Sequence, residues 1–250
     1  MMYAVLVFEL KSYLSNRMAL FWTVAYPIAM LIFLVMVFDP RTPIEVFYDS
    51  YKFKTTVGLV SLTIVSTALF GMGQAMSDMR THRALVPYMF LPQSTFRIVF
   101  SILLSRIIVI FGFSVIFLIG AFVIMGLNVS ISPIVGLQIA VSILVTSLFS
   151  FALVLPMIAV SKNATTIISL ANILNIYALM TSGVFVPLAV MPTWSHVIVT
   201  SSPFYYLNVG LQNAFQSVDL MWFWGLHLAM AMAGIAITYL VSTRKMMVPA

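Results

Sequence analysis

The sequence contains no cysteine and few charged residues, and each shortage removes a class of function. Without cysteine the chain can form no disulfide, no thiolate nucleophile and no zinc–thiolate site. Only 7% of its 250 residues are Asp, Glu, Lys or Arg, whereas soluble domains carry about 25%. Hydrophobic residues make up 62%, so lipid is the solvent expected around much of the chain. The net charge of +6 is therefore interpreted as a topology signal and not as a nucleic-acid-binding surface.

Groups suited to catalysis or metal binding are also scarce. The three histidines, His82, His196 and His227, lie on three different segments, and the sequence has no phosphate-binding GxxxxGK[ST] motif. A membrane enzyme needs its nucleophile, acid or metal ligands gathered at one depth. We therefore expect no catalytic residue, no metal site and no cofactor on this chain, and no ATP site of the P-loop type.

Long apolar runs, by contrast, are abundant. A membrane-crossing helix needs about 20 mainly apolar residues, and six stretches of this sequence have that length. They predict an all-α, multi-pass membrane protein in which residues 1–250 form one transmembrane domain. The six predicted spans are about 18–38, 56–77, 98–126, 134–161, 165–186 and 221–241.

The segment before the first span has the pattern of an amphipathic helix. Over 3–16, apolar and polar residues separate onto two faces at helical spacing. We therefore predict a helix that lies in the membrane interface and does not cross the bilayer. Its apolar face carries Tyr3, Leu6, Val7, Leu10 and Leu14, and its polar face carries Glu9, Ser12 and Asn16.

The distribution of basic residues predicts the topology. With six spans, both ends of the chain lie on the same side of the membrane. Placing them in the cytoplasm leaves nine Lys and Arg residues inside and three, Arg41, Lys52 and Lys54, outside. Cytoplasmic loops of membrane proteins carry such an excess of basic residues. We therefore expect a bacterial plasma-membrane protein with both termini in the cytoplasm.

The predicted cytoplasmic loop 77–97 is the most heavily charged stretch of its length. It reads "SDMRTHRALVPYMFLPQSTFR". Its middle part, "ALVPYMFLP", is too apolar for a solvated loop and too short to span the membrane. This pattern favours a short helix around 78–85, anchored by Arg80 and Arg83, that docks on a soluble protein. The alternative is that the arginines only fix the topology.

A second irregular stretch, 187–211, precedes the last predicted span. It is apolar but interrupted by three prolines, and a crossing here would place the last basic residues of the chain outside the cell. We therefore predict two short helices that lie at, or dip into, the outer face. Trp194 and Tyr206 belong to an aromatic belt expected at headgroup depth.

Uncharged polar residues recur along the fourth and fifth predicted spans. Ser, Thr and Asn commonly hydrogen-bond across membrane helices, so these stripes can be contacts between helices. Alternatively they line a polar translocation path, and both interpretations hold if the path runs between subunits. The stripes consist of Gln138, Ser142, Thr146 and Ser150 on the fourth span and of Thr165, Ser169, Asn172 and Asn175 on the fifth.

Three motifs, in order along the chain, resemble those of a known family. They are "NRMALFWTVAYPIAMLIF", "STALFGMGQAMSDMRTHRALVPYMFLPQSTFRIVFSILLSRI" and "TSGVFVPLAVMPTWSHVIVTSSPFYYLNVGLQNAF". The last contains a Gly-Val-Phe-x-Pro turn, a Pro-x-Trp and a Ser-Pro-x-x-Tyr before the final span. On a frame of six spans, this order is similar to the membrane-spanning subunits of ABC-2-type ATP-binding-cassette exporters, and the resemblance covers the whole chain.

The resemblance implies a dimer of permease subunits, either identical chains or paralogues, that carries two cytoplasmic ATPase subunits or domains. ATP and Mg²⁺ belong to those ATPases. The resemblance further implies that the loop around 77–85 couples the permease to the ATPases and that the outer region 187–208 caps the pathway. The coupling residues are then Asp78, Arg80, His82, Arg83, Leu85 and Pro87, and the outer gate residues are Phe185, Pro187, Pro192, Trp194, Pro203 and Tyr206.

The loop departs from the family pattern in one place. Many members carry a Glu-Arg-x-x-Gly-like sequence there, whereas this chain reads "DMRTHRAL" and lacks the glycine. The contacts implied for the coupling residues differ from the family's at this position.

Three functions follow as hypotheses. The first is the permease of an ATP-driven exporter that moves an amphipathic or hydrophobic substrate outward, such as a drug, a peptide or a lipid-like molecule. The second is an ion-gradient-driven carrier or channel that works without an ATPase and depends on Arg106, Asp219 and His227. The third is an assembly or signalling subunit that transports nothing. The spans hold almost no ionisable residues, which favours the first.

Overall fold

The computed structural model describes residues 2–37, 45–72, 95–126, 131–161, 164–186, 188, 191–216 and 220–246. Within these ranges every regular element is a helix and no strand is present. The predicted all-α fold is therefore confirmed. The six predicted coupling residues and Pro187 lie outside the described residues.

In the first half of the chain, the described residues form an N-terminal helix and three long ones, two of which contain π-helical segments. Their bounds are α1 (Met2–Ser15), α2 (Arg17–Leu20), π1 (Phe21–Ala25), α3 (Tyr26–Val37), α4 (Glu45–Thr67), π2 (Ala68–Met72) and α5 (Thr95–Met125). The segments α2, π1 and α3 are consecutive, as are α4 and π2.

The second half forms three long helices and two short ones. Their bounds are α6 (Pro133–Val160), α7 (Ala164–Thr181), α8 (Thr193–Thr200), α9 (Pro203–Phe215) and α10 (Met221–Met246). The short helices α8 and α9 fall where the sequence predicts two short helices, although α9 extends four residues beyond the predicted limit at 211.

The segment π1 lies directly before Pro27, and the proline explains it. Proline has no N–H to give to the carbonyl of Thr23, and its ring crowds that carbonyl. The helix widens in this turn, and the Tyr26 N–H bonds to the carbonyl of Phe21, five residues back. The irregularity near Pro27 is therefore a change of helix type, whereas Pro156 lies inside a helix, α6, that stays α-helical.

Among the described residues, four helices are long and apolar enough to cross a membrane. The qualifying stretches are Lys52–Gly71, Leu104–Met125, Pro133–Met157 and Met221–Leu240. Two further apolar helices, Thr23–Leu34 and Thr165–Thr181, have fewer than 18 residues. All six coincide with predicted spans. The structure thus supports a multi-pass protein with four candidate spans, and the count of six stays a prediction.

Helix α4 occupies the centre of the bundle. It contacts α3, α5, α6, α7 and α9, and 83% of its apolar stretch is buried. Small residues such as Gly58 and Ser66 let neighbouring backbones approach closely. Near one end, the ring of Phe53 packs against Phe122 of α5 and Phe215 of α9, with centroids 6.2 and 5.4 Å away. The core of the molecule therefore surrounds this helix.

Helix α10 packs mainly on α6, along one edge. A Cβ added at Gly234 would lie 2.7 Å from the backbone oxygen of Ala152, so the two backbones are in near contact there. Further along the same edge, Trp224 Nε1 donates to Ser142 Oγ over 3.1 Å. The remainder of α10 faces away from the bundle, since only 17% of its apolar stretch is buried.

Helix α1 lies against α5. Tyr13 and Val109 form the buried centre of this contact, and Leu10 and Phe113 pack against them. Leu14, which the sequence places on the apolar face, is 49% exposed, and Tyr13 takes the inward position. The predicted amphipathic character and interfacial location of this helix stay predictions.

Candidate functional site

The end of α7 and the two short helices after it form a hydrogen-bonded cluster, here called the α7 turn cluster: Thr181, Ser182, Gly183, Ser202 and Asn208. Helix α7 ends at Thr181, and Gly183 has a positive φ of 70°. Glycine at this position after a helix adopts the left-handed conformation without steric cost. The glycine of the Gly-Val-Phe-x-Pro turn is therefore required by the backbone.

Side chains from the following helices hold this turn in place. Thr181 Oγ1 and Ser202 Oγ lie 2.7 Å apart, and the Asn208 amide donates to the Ser182 carbonyl over 2.9 Å. Thr181, Ser182, Ser202 and Asn208 are all buried. Because buried polar groups are costly unless paired, these bonds fix the turn against α9.

The cluster also reaches α4. Gln212 Nε2 donates to Asn208 Oδ1 over 2.7 Å, which orients the Asn208 amide. A Cβ added at Gly58 of α4 would lie 2.7 Å from Val184 Cγ2 and 2.9 Å from Asn208 Oδ1. Only glycine fits at this crossing, so the α7 turn, α9 and α4 are packed as one unit.

The Ser-Pro pair of the third motif starts α9. Ser202 is the N-cap and accepts a hydrogen bond from the Phe204 N–H over 3.3 Å, while Pro203 occupies the first turn. Serine is a favoured N-cap, and proline suits the first helical position because its missing N–H has no partner there. The motif therefore encodes a sharp helix start beside the α7 turn.

Five of the predicted outer gate residues are described, and they belong to the segments that follow α7. Phe185 and Pro203 are half-buried, and Pro192 and Trp194 are exposed. The Tyr206 ring packs edge-on against Tyr205 and Trp222, with centroids 5.6 and 5.9 Å away. These residues are contributed by the turn, α8 and α9, and Trp222 joins α10 to them.

The predicted polar stripe of α7 divides between two faces. Thr165, Ser169 and Asn172 are exposed on the surface that also carries Ile173. Asn175 is buried toward α4, where its Oδ1 accepts a hydrogen bond from Ser66 Oγ over 2.7 Å. Asn175 is thus a contact within the subunit, and the other three form an outward polar face.

The stripe of α6 lies inside the subunit. Ser142 and Thr146 are fully buried, and Gln138 is half-buried. Ser142 accepts the hydrogen bond from Trp224, and Ser150 donates to the Thr146 carbonyl of its own helix over 2.7 Å. These contacts favour the helix-packing interpretation for α6. Thr146 Oγ1 and Gln138 Oε1 have no hydrogen-bond partner among the described residues.

An apolar cavity of about 330 Å³ lies between the first long helix and α5. It extends along α5 from Phe113 to Met125, past Gly120, and Ile28 lines its other wall. Among the described residues of its lining, Thr23 is the sole polar one. The cavity can hold alkyl or aromatic groups and offers almost nothing to orient a polar ligand.

The comparison with protein families identifies the chain. The sequence model of the family described as ABC-2 type transporter matches residues 2–216, more than half of the 250 residues. The chain belongs to the ABC-2 type transporter family. A comparison with curated protein sequences gives no match. The chain is accordingly a membrane transport subunit, and the family's membrane subunit is not itself catalytic.

The described part of this ABC-2 permease contains no cluster of metal-ligating side chains. No group of three His, Asp or Glu side chains lies together within the described ranges. His227 is fully buried, with Nδ1 2.8 Å from the Phe223 carbonyl and its ring against those of Phe149 and Phe223. In this position it acts as a packing residue of the α6–α10 contact.

Sequence reasoning missed most of the α7 turn cluster of this ABC-2 permease. Ser202 could have been found from the Ser-Pro signature of a helix start. Asn208 and Gln212 are four residues apart on α9, the spacing at which helical side chains meet. The partner of Asn208, the Ser182 carbonyl, could not have been found because it depends on how α7 and α9 pack.

Proposed function

We propose that this ABC-2 permease is the membrane subunit of an ATP-driven exporter, and that a separate ATPase chain binds ATP and Mg²⁺ and hydrolyses the nucleotide. The observation that carries the proposal is the outward polar face of α7. A carboxamide and two hydroxyls, those of Asn172, Thr165 and Ser169, are exposed on an apolar helix with no charged neighbour on it. Such a surface suits a translocation path between two permease subunits and does not suit contact with lipid.

The physical argument rests on the cost of polar groups in hydrocarbon. The Asn172 amide has two donors and an acceptor, and leaving them unpaired in lipid is unfavourable. A second permease subunit facing α7 covers this surface and leaves room for a path between the two chains. Exposed Ile173 and Tyr177 on the same helix supply the apolar part of the contact.

The substrate we propose is amphipathic or hydrophobic: a drug, a peptide or a lipid-like molecule. The exposed side chains of α7 combine uncharged polar groups with isoleucine and tyrosine, and the cavity beside α5 is apolar. Neither surface offers a charge to pair with a highly charged substrate. Outward transport follows from the exporter resemblance, with both termini in the cytoplasm.

In this proposal the loop 77–97 receives the motion of the ATPase, and the α7 turn cluster closes the outer end of the path. The cluster suits a gate because its hydrogen bonds join the α7 turn to α9, and close packing at Gly58 joins both to α4. Phe185 and Tyr206 beside it supply apolar rings. Hydrolysis then moves whole helices and does not deform this turn.

The docking part of the proposal is tested by co-expressing this chain with its neighbouring genes and asking whether an ATPase co-purifies with it. Arg80→Glu combined with Arg83→Glu reverses the charge of the loop. The matched control is Arg244→Glu combined with Lys245→Glu, which makes the same charge change near the other cytoplasmic end. We expect the ATPase to bind the parent and the control and to be lost from the loop variant. If the ATPase stays bound to the parent, the control and the loop variant, docking lies elsewhere. If no ATPase binds the parent and an ion gradient drives transport, the carrier hypothesis replaces the proposal.

The path is tested by transport in proteoliposomes. Asn172→Leu removes the carboxamide, and Ile173→Leu, on the same exposed face, is the control. Hydrogen bonds between membrane helices contribute about 0.6 to 1.7 kcal/mol, so Asn172→Leu is expected to lower transport about threefold to fifteenfold. Equal transport by both variants would contradict a path along α7.

A further inference from the structure

Three hydroxyl groups from three elements form a buried chain. Tyr13 Oη of α1 lies 2.6 Å from Thr23 Oγ1 of π1, which lies 3.0 Å from Thr67 Oγ1 of α4. All three side chains are at most 4% exposed. Each hydroxyl can both donate and accept, so the chain satisfies them together and ties the N-terminal helix to two helices of the bundle.

The ring of Tyr13 is held by two further elements. The Arg106 guanidinium of α5, itself buried, lies 4.5 Å from the ring centroid, a cation–π distance. A Cβ added at Gly71 of π2 would lie 3.1 Å from the ring edge, so glycine leaves the space that the ring fills. Burial raises the pKa of Tyr13 above its usual value, which keeps the phenol neutral and able to donate.

Both π-helical segments meet at this point. Thr23 is the middle residue of π1, and Thr67 is the residue directly before π2. Well under 1% of residues in proteins are π-helical, and such segments are frequent at functional sites because the extra residue re-aims side chains. Two π-helical segments beside Tyr13 indicate that this junction is a specific structural feature.

Tyr13 is the main anchor of α1. Among the α1 side chains that the structure describes, it alone is fully buried; Leu6, Val7 and Leu10 are half-buried and the others are exposed. A helix with one buried anchor can rotate about it unless directional bonds fix its angle. The Tyr13 hydroxyl supplies such a bond.

We propose that Tyr13 is a positioning residue that sets the angle of α1 relative to the first three long helices. Through the chain of hydroxyls, a movement of α1 passes into π1 and α4, and it reaches α5 through Arg106. The residues of this junction are different from those proposed for docking and from those of the outward face of α7. Its part in transport rests on the proposed function, whereas its part in fixing α1 does not.

The absence of cysteine makes the test direct, because two introduced cysteines are the only labelling sites. Ser12→Cys on α1 and Ile108→Cys on α5 are both exposed positions for spin labels. Distances between the labels are measured by pulsed electron paramagnetic resonance on the full chain in nanodiscs. Tyr13→Phe keeps the ring over Arg106 and removes the hydroxyl. We expect a single narrow distance in the parent and a broadened or second distance in Tyr13→Phe.

Thr23→Val is a second variant that leaves Tyr13 intact and removes its partner, and it decides the question if Tyr13→Phe does not fold. Thr63→Val is the matched control, since its hydroxyl donates to the Leu59 carbonyl of its own helix. Broadening in Tyr13→Phe and Thr23→Val but not in Thr63→Val supports the proposal. A narrow distance distribution in Tyr13→Phe or in Thr23→Val, or equal broadening in Thr63→Val, overturns the proposal.

The transport readout follows in the reconstituted complex. We expect the Tyr13→Phe variant to bind the ATPase normally. We expect it to move about threefold fewer substrate molecules per ATP, because one hydrogen bond between helices is lost. An unchanged ratio overturns the transport part. If no ATPase binds the parent, the proposed function fails, and the distance measurement still decides whether Tyr13 fixes α1.

Discussion

The apolar stretches of α4 and α10 have the same mean hydropathy and opposite surroundings. In Lys52–Gly71, 83% of the stretch is buried, whereas in Met221–Leu240 only 17% is. Hydropathy therefore shows that a helix is compatible with lipid and does not show whether lipid surrounds it.

Small residues occur in both helices, and buried hydroxyl groups distinguish α4 from α10. Helix α4 carries buried Thr55, Thr56, Gly58 and Ser61, which are small enough for neighbouring helices to approach on all sides. Helix α10 carries bulky exposed residues, and its buried positions form one narrow edge. That edge consists of Phe223, His227 and Ala231, spaced four residues apart.

The largest effect is expected when a side chain is added to α4. Gly58→Leu places atoms where Val184 and Asn208 already lie, and overpacking of this kind costs about 3 kcal/mol or more. Gly225→Leu makes the same change on α10, where an added Cβ has nothing within 4 Å, and should cost less than about 0.5 kcal/mol. Unfolding in detergent micelles measures both. Equal destabilisation would remove the contrast between the two helices.

The next effect is expected along the narrow edge of α10. His227→Ala empties the space between the rings of Phe149 and Phe223 and should cost about 2 kcal/mol or more. Leu228→Ala, one residue further and exposed, is the control and should be nearly neutral. The same unfolding assay applies, and a larger loss for Leu228→Ala would mean that α10 packs by another face.

A smaller effect is expected for the contact between α4 and α7. Asn175→Leu removes the acceptor of Ser66 and should destabilise the subunit by about 1 kcal/mol. Asn172→Leu, on the exposed face, should leave the stability of the isolated subunit unchanged while lowering transport. Measuring both the unfolding and the transport of the two variants distinguishes a helix-packing role from a role in the translocation path. Identical behaviour of the two variants would contradict the assignment of Asn175 to packing and Asn172 to the path.

The smallest effect is expected within α4 itself. Ser61 donates to the Gly58 carbonyl of its own helix over 2.8 Å, so it joins no second helix. Ser61→Ala should change the free energy of unfolding by about 0.5 kcal/mol or less. A loss as large as that of Asn175→Leu would indicate that the bond within the helix matters as much as one between helices.

The sequence predicts the helices better than their contacts. Apolar length locates all six long helices, and the prolines of 187–211 locate α8 and α9. Angular position explains part of what was missed: at about 100° per residue, Asn175 lies about 120° from Ser169 around α7, so a shared face was not assured. The inward position of Tyr13 could not be predicted from α1 alone, since it depends on Thr23, Thr67 and Arg106 from three other elements.

The hydrogen bond between Ser66 and Asn175 has a consequence for the order of events during synthesis. The two residues are 109 positions apart, so at about 5 to 20 residues per second the Ser66 hydroxyl precedes its acceptor by about 5 to 22 seconds. A serine in a helix can meanwhile bond to a carbonyl of its own turn, as Ser61 does. Helix α4 can thus stay in the bilayer with the Ser66 hydroxyl satisfied, and it exchanges that internal bond for Asn175 when α7 arrives.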